Sequence, residues 1–321
     1  GKETKREVQE SYPLTNTQEG IFIECTANMG STIYNIPYLL KLDKKVDLDR
    51  LAAAVDSTVE AHPYLKTRLF MDDNGNVLQK RNDGLVCKTQ IINGMNKETL
   101  VRPYMLFNEQ LFRFEIYRTC EGNYLFLDLH HIVADGTSLA IIMNDINRAY
   151  SGEKLEPETY TSYDLALDNR DALASDAYKN AEDYYRSVFE KAGGSISFCP
   201  DKSGATPAAE LYRRESMEIS VQAVKDFCKK HGITENVFFI SAFGIMLGKY
   251  NFKKDAVFTT IYHGRNDSRL SETVGMLVKT LPVYCNFAGS TEDCLAEIQR
   301  QLINSMNNDI YPFAQISHEF D

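Results

Sequence analysis

The chain has 321 residues, 43% of them hydrophobic, more than one ordinary core needs, and this predicts two domains or two lobes. A formal net charge of −10 excludes a partner held by bulk basic charge, so no nucleic acid is expected. Seven cysteines, an odd count with no Cys-x-x-Cys, argue against a disulfide framework or a zinc knuckle and for buried thiols of a reduced, cytoplasmic protein with no bound metal.

Residues 1–11 are charged and show no signal-peptide pattern, and no apolar run approaches the ~18 residues a spanning helix needs, so no membrane is expected. Order begins at Tyr12-Pro13-Leu14-Thr15, where Thr15 or Thr17 is suited to cap a helix running to about residue 26. Residues 33–42 read as a strand. Asp47 opens a helix with Leu48, Leu51, Ala52, Val55 and Val59 on one face, and His62-Pro63 ends it, since the residue before proline disfavours the α region. Strands are expected at 65–70 and 77–81 around the turn Asp73-Asn74-Gly75-Asn76, and another at 86–92. Residues 111–118 and 123–130 form the clearest pair; the second carries apolar residues on both faces and reads as a central, doubly covered strand. It leads into His130-His131-Ile132-Val133-Ala134-Asp135-Gly136, and a helix follows with Leu139, Ile142, Met143, Ile146 and Ala149 on its buried stripe.

A polar stretch then runs to about Thr161, a charged helix is expected near 175–191, and Gly193-Gly194 with 199–209 reads as loop. Beyond it come a strand at 212–219, helices at 220–231 and 234–250, a strand at 255–262, a polar loop at 263–273, a strand near 280–286 and a helix at 290–308. The fold class is α/β with mixed sheets. The lobe boundary is placed so that 1–165 form the first lobe and 166–321 the second.

Two adjacent histidines at the end of a core strand, among only six in the chain, stand where a rigid scaffold can present reactive groups. A neutral imidazole at His131 can take the proton an amine loses as it attacks a thioester, or orient that amine by a hydrogen bond. His130 and His131 are neighbours on an extended chain and point to opposite faces, which disfavours a shared metal ion. Asp135 reads equally as a helix cap and as a brace for the loop through an arginine elsewhere. Gly136 would permit a tight turn and close approach of a substrate. The bland alternative for the pair is a structural core role. In His263-Gly264-Arg265-Asn266-Asp267, Arg265 is a candidate for a buried ion pair or a solvated loop residue.

The string from His130 to Gly136 resembles the His-His-x-x-x-Asp-Gly signature of condensation domains of non-ribosomal peptide synthetases, within the chloramphenicol-acetyltransferase-like superfamily. Five further stretches are similar to the family's other motifs, in order: Tyr12 to Gly20, His62 to Arg68, Tyr163 to Ala166, Gly264-Arg265 with Val274 to Leu281, and Asn308 to Phe313. The resemblance implies two acetyltransferase-like lobes in a V, with a tunnel carrying His131 near its middle. It implies donor and acceptor peptidyl carrier proteins that insert phosphopantetheine arms, an adjacent adenylation domain, no tightly bound cofactor and a monomeric module. It makes His131, His130, Asp135 and Gly136 the site, with Asp135 in a structural pair with Arg265. An acyltransferase using a coenzyme A thioester and a free alcohol or amine, and a non-catalytic recruitment domain, are the alternatives. The sequence departs from the family in showing no seventh motif, so the second lobe is expected to be incomplete at its C-terminus. Lys279 stands where asparagine is common, and the tryptophan of epimerization domains and the tandem aspartates of heterocyclization domains are absent.

Overall fold

The computed structural model describes residues 6–107, 109–190, 192, 197–198 and 215–320. They fall into two units, one extending to Ser175 and including His263–Val278, the other comprising Asp176–Tyr262 and Lys279 onward. The division thus lies later than 165, and segment 263–278, assigned above to the second lobe, belongs to the first unit. The reason is local chemistry: Arg265, Arg269 and the backbone of 274–277 are hydrogen-bonded to side chains of the rest of the first unit.

The first unit contains β1 (Ser11–Pro13), α1 (Asn16–Ala27), β2 (Asn35–Lys41), α2 (Leu48–Ala61), β3 (Arg68–Met71), β4 (Val77–Lys80), β5 (Gln90–Asn93), β6 (Phe112–Thr119), β7 (Gly122–His130), α3 (Gly136–Tyr150) and α4 (Ser162–Ala172). Thr15 caps α1 in a reciprocal arrangement with Gln18, and Asp47 caps α2 through Asp49 and Arg50 N–H. In the β3–β4 turn the Asp72 carboxylate accepts from Asn74 and Asn76 N–H, and Gly75 takes a positive φ of 83°.

The larger sheet has the order β2-β7-β6-β5, antiparallel except for the parallel β5–β6 pair. β7 is central, as its two-sided apolar pattern predicts. Leu125, Leu127 and Leu129 enter a core with Leu51, Val55 and Val59 of α2 and Ile142 and Ile146 of α3. Tyr124 and Phe126 pack the other way against Leu100 and Tyr117. A three-stranded antiparallel sheet, β1-β4-β3, lies beside it in the same unit.

Two elements differ from expectation. The strand foreseen at 86–92 forms only at 90–93, because Thr89 commits its N–H and hydroxyl to Asp56 Oδ1, both at 2.7 Å, outside any strand ladder. α4 has no counterpart among the expected elements. Its sequence is polar, but Tyr163, Ala166 and Leu167 sit at i, i+3, i+4 and are buried. Asp164 Oδ2 accepts from both the N–H and the hydroxyl of Thr161 at 2.8 Å, which fixes the helix start.

The second unit contains α5 (Asp176–Phe189), α6 (Val221–His231), α7 (Glu235–Tyr250), β8 (Asp255–Tyr262), β9 (Lys279–Asn286), α8 (Thr291–Asn307) and α9 (Phe313–Phe320). β8 and β9 pair antiparallel. Ala256, Val283 and Cys285 pack with Val237, Ile240 and Leu247 of α7 and Ile298 and Leu302 of α8. Tyr311 of the sixth motif is buried among Tyr185, Phe189 and Ile316. Residues 215–219 are irregular rather than strand, and the rest of the strand expected at 212–219, with Gly193-Gly194 and the loop at 199–209, lies outside the described residues. No helix among the described residues is long and apolar enough to cross a membrane.

Candidate functional site at the end of the central strand

The histidine loop leaves β7 where the ladder ends. Asn35 of β2 pairs with His130, and His131 N–H donates to Tyr34 O at 2.7 Å, so both histidines are fixed at the backbone. Their side chains have different fates. The His130 ring is buried, with Tyr104 edge-on at 5.7 Å. Its Nδ1 accepts from Ile132 N–H at 3.1 Å, which puts the proton of the neutral ring on Nε2, 3.8 Å from Cys25 Sγ. Burial, with the nearby His131 and Arg113, drives the His130 pKa down to about 4. A base that weak transfers protons poorly near neutrality. His131 is only partly buried, and its Nδ1 is shielded from solvent with no hydrogen-bond partner among the described residues.

Asp135 is both cap and brace. Its Oδ1 accepts from Ser138 N–H at 2.7 Å, starting α3, and from Arg265 Nη2 at 3.0 Å. Its side chain is fully buried and that of Arg265 is 6% exposed. Arg265 Nη1 also donates to Leu270 O and Thr273 O, each at 2.7 Å. Gly136 is simply the first residue of α3: its φ is not positive and nothing lies within 4 Å of a Cβ placed there. The tight turn expected at Gly136 is therefore absent.

The sequence reading missed the strap formed by residues 273–277, whose backbone is held almost atom by atom by buried side chains. Thr273 O accepts from Arg265, Val274 N–H donates to Glu158 Oε1 at 2.5 Å, and Val274 O accepts from Ser162 Oγ at 2.8 Å. Gly275 N–H donates to Ser138 Oγ at 3.0 Å, Met276 O accepts from Thr17 Oγ1 at 2.9 Å, and Leu277 N–H donates to Asp135 Oδ2 at 3.1 Å. Each such bond contributes about 1 kcal/mol net but costs more when one buried partner is left unpaired. A second tie reaches the loop from α1. Gln18 Nε2 donates to Ile132 O at 2.9 Å and to Tyr64 Oη at 2.7 Å. Tyr163 Oη lies 2.6 Å from Thr67 Oγ1, and its ring packs on Tyr12 and Tyr64. Residues of four of the five further motif stretches therefore meet around the histidine loop. The signal for Ser138 was its place three residues after a capping aspartate; Thr17 was marked only as a possible helix cap within the first motif stretch, and Glu158 carried no signal.

Glycine is required at 264 and 275. A Cβ on Gly264, whose φ is +68°, would lie 1.8 Å from Leu277 O, and one on Gly275 would lie 1.8 Å from Ser162 Oγ. Gly264→Ala is expected to destabilise the protein by well over the ~1 kcal/mol typical of alanine in a left-handed position, because a backbone carbonyl cannot step aside. Gly75→Ala is the control, with φ +83° and open space around it. Equal urea midpoints for the two variants would contradict the clash.

Among the described residues no group of three or more His, Cys, Asp or Glu side chains is arranged to hold a metal ion.

A family model of the condensation domain matches residues 8–321. Bacitracin synthase 2 of Bacillus licheniformis is 26% identical over 331 aligned residues, covering 99% of this chain and 13% of that protein's length. The fold is similar to that of the first condensation domain of the calcium-dependent antibiotic synthetase in complex with a substrate analogue (TM-score 0.77, 16% identity, 98% of this chain and 79% of that one). It is also similar to the X-domain from teicoplanin biosynthesis in its complex with OxyB (TM-score 0.80, 19% identity, 99% and 75%).

Proposed function

The chain belongs to the condensation-domain family, and on that premise we propose that it joins a donor acyl or peptidyl thioester to an acceptor aminoacyl amine, both tethered by phosphopantetheine arms to carrier proteins. The acceptor nitrogen attacks the thioester carbonyl, a C–N bond forms, the C–S bond breaks, and the proton lost from nitrogen ends on the departing sulfur. His131 is the residue assigned to receive or orient that proton. His130, tied at Nδ1 and held neutral, shapes the loop. Asp135 and Arg265 keep the loop in place and take no part in the chemistry. An adjacent adenylation domain would supply activated monomers to the carriers.

The observation that carries this reading is a partly exposed histidine just past the end of a central strand, whose Nδ1 has no hydrogen-bond partner among the described residues, in a loop tied by four other motif stretches. The fold alone does not carry it, because the X-domain of the same fold is seen in a complex with OxyB. The test presents the chain with separately loaded donor and acceptor carrier proteins and measures amide product by mass spectrometry. Product dependent on both carriers is expected. Product from free coenzyme A thioesters alone would move the assignment to a free-substrate acyltransferase. No product, with tight binding of another protein, would move it to a recruitment domain.

A further inference from the structure

His62, the last residue before Pro63, closes α2 and has a buried ring. Its Nε2 is 3.0 Å from Asp145 Oδ2 on α3, and its Nδ1 is 3.1 Å from Glu158 Oε1. Nδ1 lies off the line of a straight hydrogen bond, so the second contact is between charges. Glu158 Oε1 is the same atom that accepts from Val274 N–H. One imidazole thus joins the end of α2, the middle of α3 and the carboxylate that holds the start of the strap. The strap in turn donates to Asp135 through Leu277 and to Ser138 through Gly275.

We propose that His62, held between Asp145 and Glu158, is a positioning residue: it fixes the 273–277 strap and, through it, the Asp135 end of the histidine loop. Its relevance to turnover rests on the function proposed above; its effect on the strap does not. A neutral side chain at 62 would leave two buried carboxylates without their shared cation, and an unpaired buried charge moves or takes up a proton. Glu158 would then loosen its hold on Val274.

The charged groups facing His62 are Asp145 and Arg148 from α3, Glu158 from the segment before α4, and Arg265, whose charge also acts on Glu158. Burial opposes protonation of the ring, but the bond to Asp145 and the neighbouring charge of Glu158 outweigh it and push the pKa up to about 9. The folded value lies above the ordinary 6.5, so the unfolded chain releases this proton first. The stabilising contribution is complete below about pH 6.5 and is lost as pH rises through about 9.

Hydrogen–deuterium exchange on the full chain at pH 7 tests the proposal. In His62→Gln, exchange in a peptide spanning 273–277 is expected to rise at least tenfold while a β6 peptide (112–119) stays protected. Adding Glu158→Gln, which keeps the acceptor oxygen but removes the charge, is expected to restore most of that protection. In the carrier assay kcat falls by a similar factor with KM unchanged, and the alkaline loss of thermal stability near pH 9 is smaller in His62→Gln. Unchanged exchange at the strap, or exchange raised equally everywhere, overturns the proposal. Should His62→Gln fail to fold, Glu158→Ala takes its place: His62 keeps Asp145, and strap protection equal to wild type would refute the pathway through Glu158. A wild-type protein that makes no amide while His62→Gln still loosens the strap would refute the proposed function and leave this inference standing.

Discussion

His131→Ala is expected to cut the rate of amide formation by about 10²–10⁴-fold, the range for loss of one positioned proton-transfer group, while leaving the thermal midpoint near that of the parent. The two halves of this expectation come from the same geometry. The backbone N–H of residue 131 keeps its bond to Tyr34 O whatever the side chain. The ring's Nδ1 gives up no hydrogen bond on truncation, because it has none among the described residues. His130→Ala should show the reverse balance: it strips Ile132 N–H of its acceptor and removes a ring packed against Tyr104, so stability falls first and activity follows. His131→Gln separates the two possible roles of the ring. A carboxamide can orient an amine but cannot accept its proton at neutral pH, so recovery of most of the lost rate would assign His131 to orientation alone. A His131→Ala protein with parental turnover would remove His131 from the mechanism.

The sequence was readable where the physics is local. Asp47 and Ser290 each stand just ahead of an apolar period and cap the helix that follows, and Thr15, one of two candidates, caps α1. The two-sided apolar run at 124–129 could only be a covered strand, and β7 is central. Legibility failed where a side chain serves the backbone of a distant segment. Ser138 and Gly275 are 137 residues apart, and Thr17 and Met276 are 259 apart; nothing in the periodicity of either stretch marks those bonds. Glycine shows the same limit. Gly264 and Gly275 flank a polar loop, but the reason for them is the approach of Leu277 O and Ser162 Oγ, which only the folded chain supplies. Gly136, singled out for backbone freedom, uses none. Arg265 could not be told from a solvated loop arginine by its own neighbours. It was matched to Asp135 through the family pattern, and in the structure the two side chains lie 3.0 Å apart.

Arg265→Ala is expected to cost about 3–5 kcal/mol in stability, the range for breaking a buried pair by removing one partner. The arginine does more than neutralise Asp135. It also donates to the carbonyls of Leu270 and Thr273, so its loss leaves a buried carboxylate uncompensated and takes a donor from each carbonyl, of which Leu270 O keeps Thr273 N–H. Asp135 would still hold Ser138 N–H and Leu277 N–H, so the loop is weakened, not released, and at a temperature well below the melt the remaining folded protein should retain a good share of its turnover. The opposite removal is harsher on the site. Asp135→Ala takes away the helix cap, the strap anchor and the arginine's partner together, leaving a buried guanidinium uncompensated. A double-mutant cycle with both positions replaced decides whether this is one unit: the combined loss should fall well short of the sum of the single losses, because the second truncation removes a charge the first had already orphaned. Losses that simply add, or an Arg265→Ala melt equal to that of the parent, would mean that the pair does not brace the loop in solution.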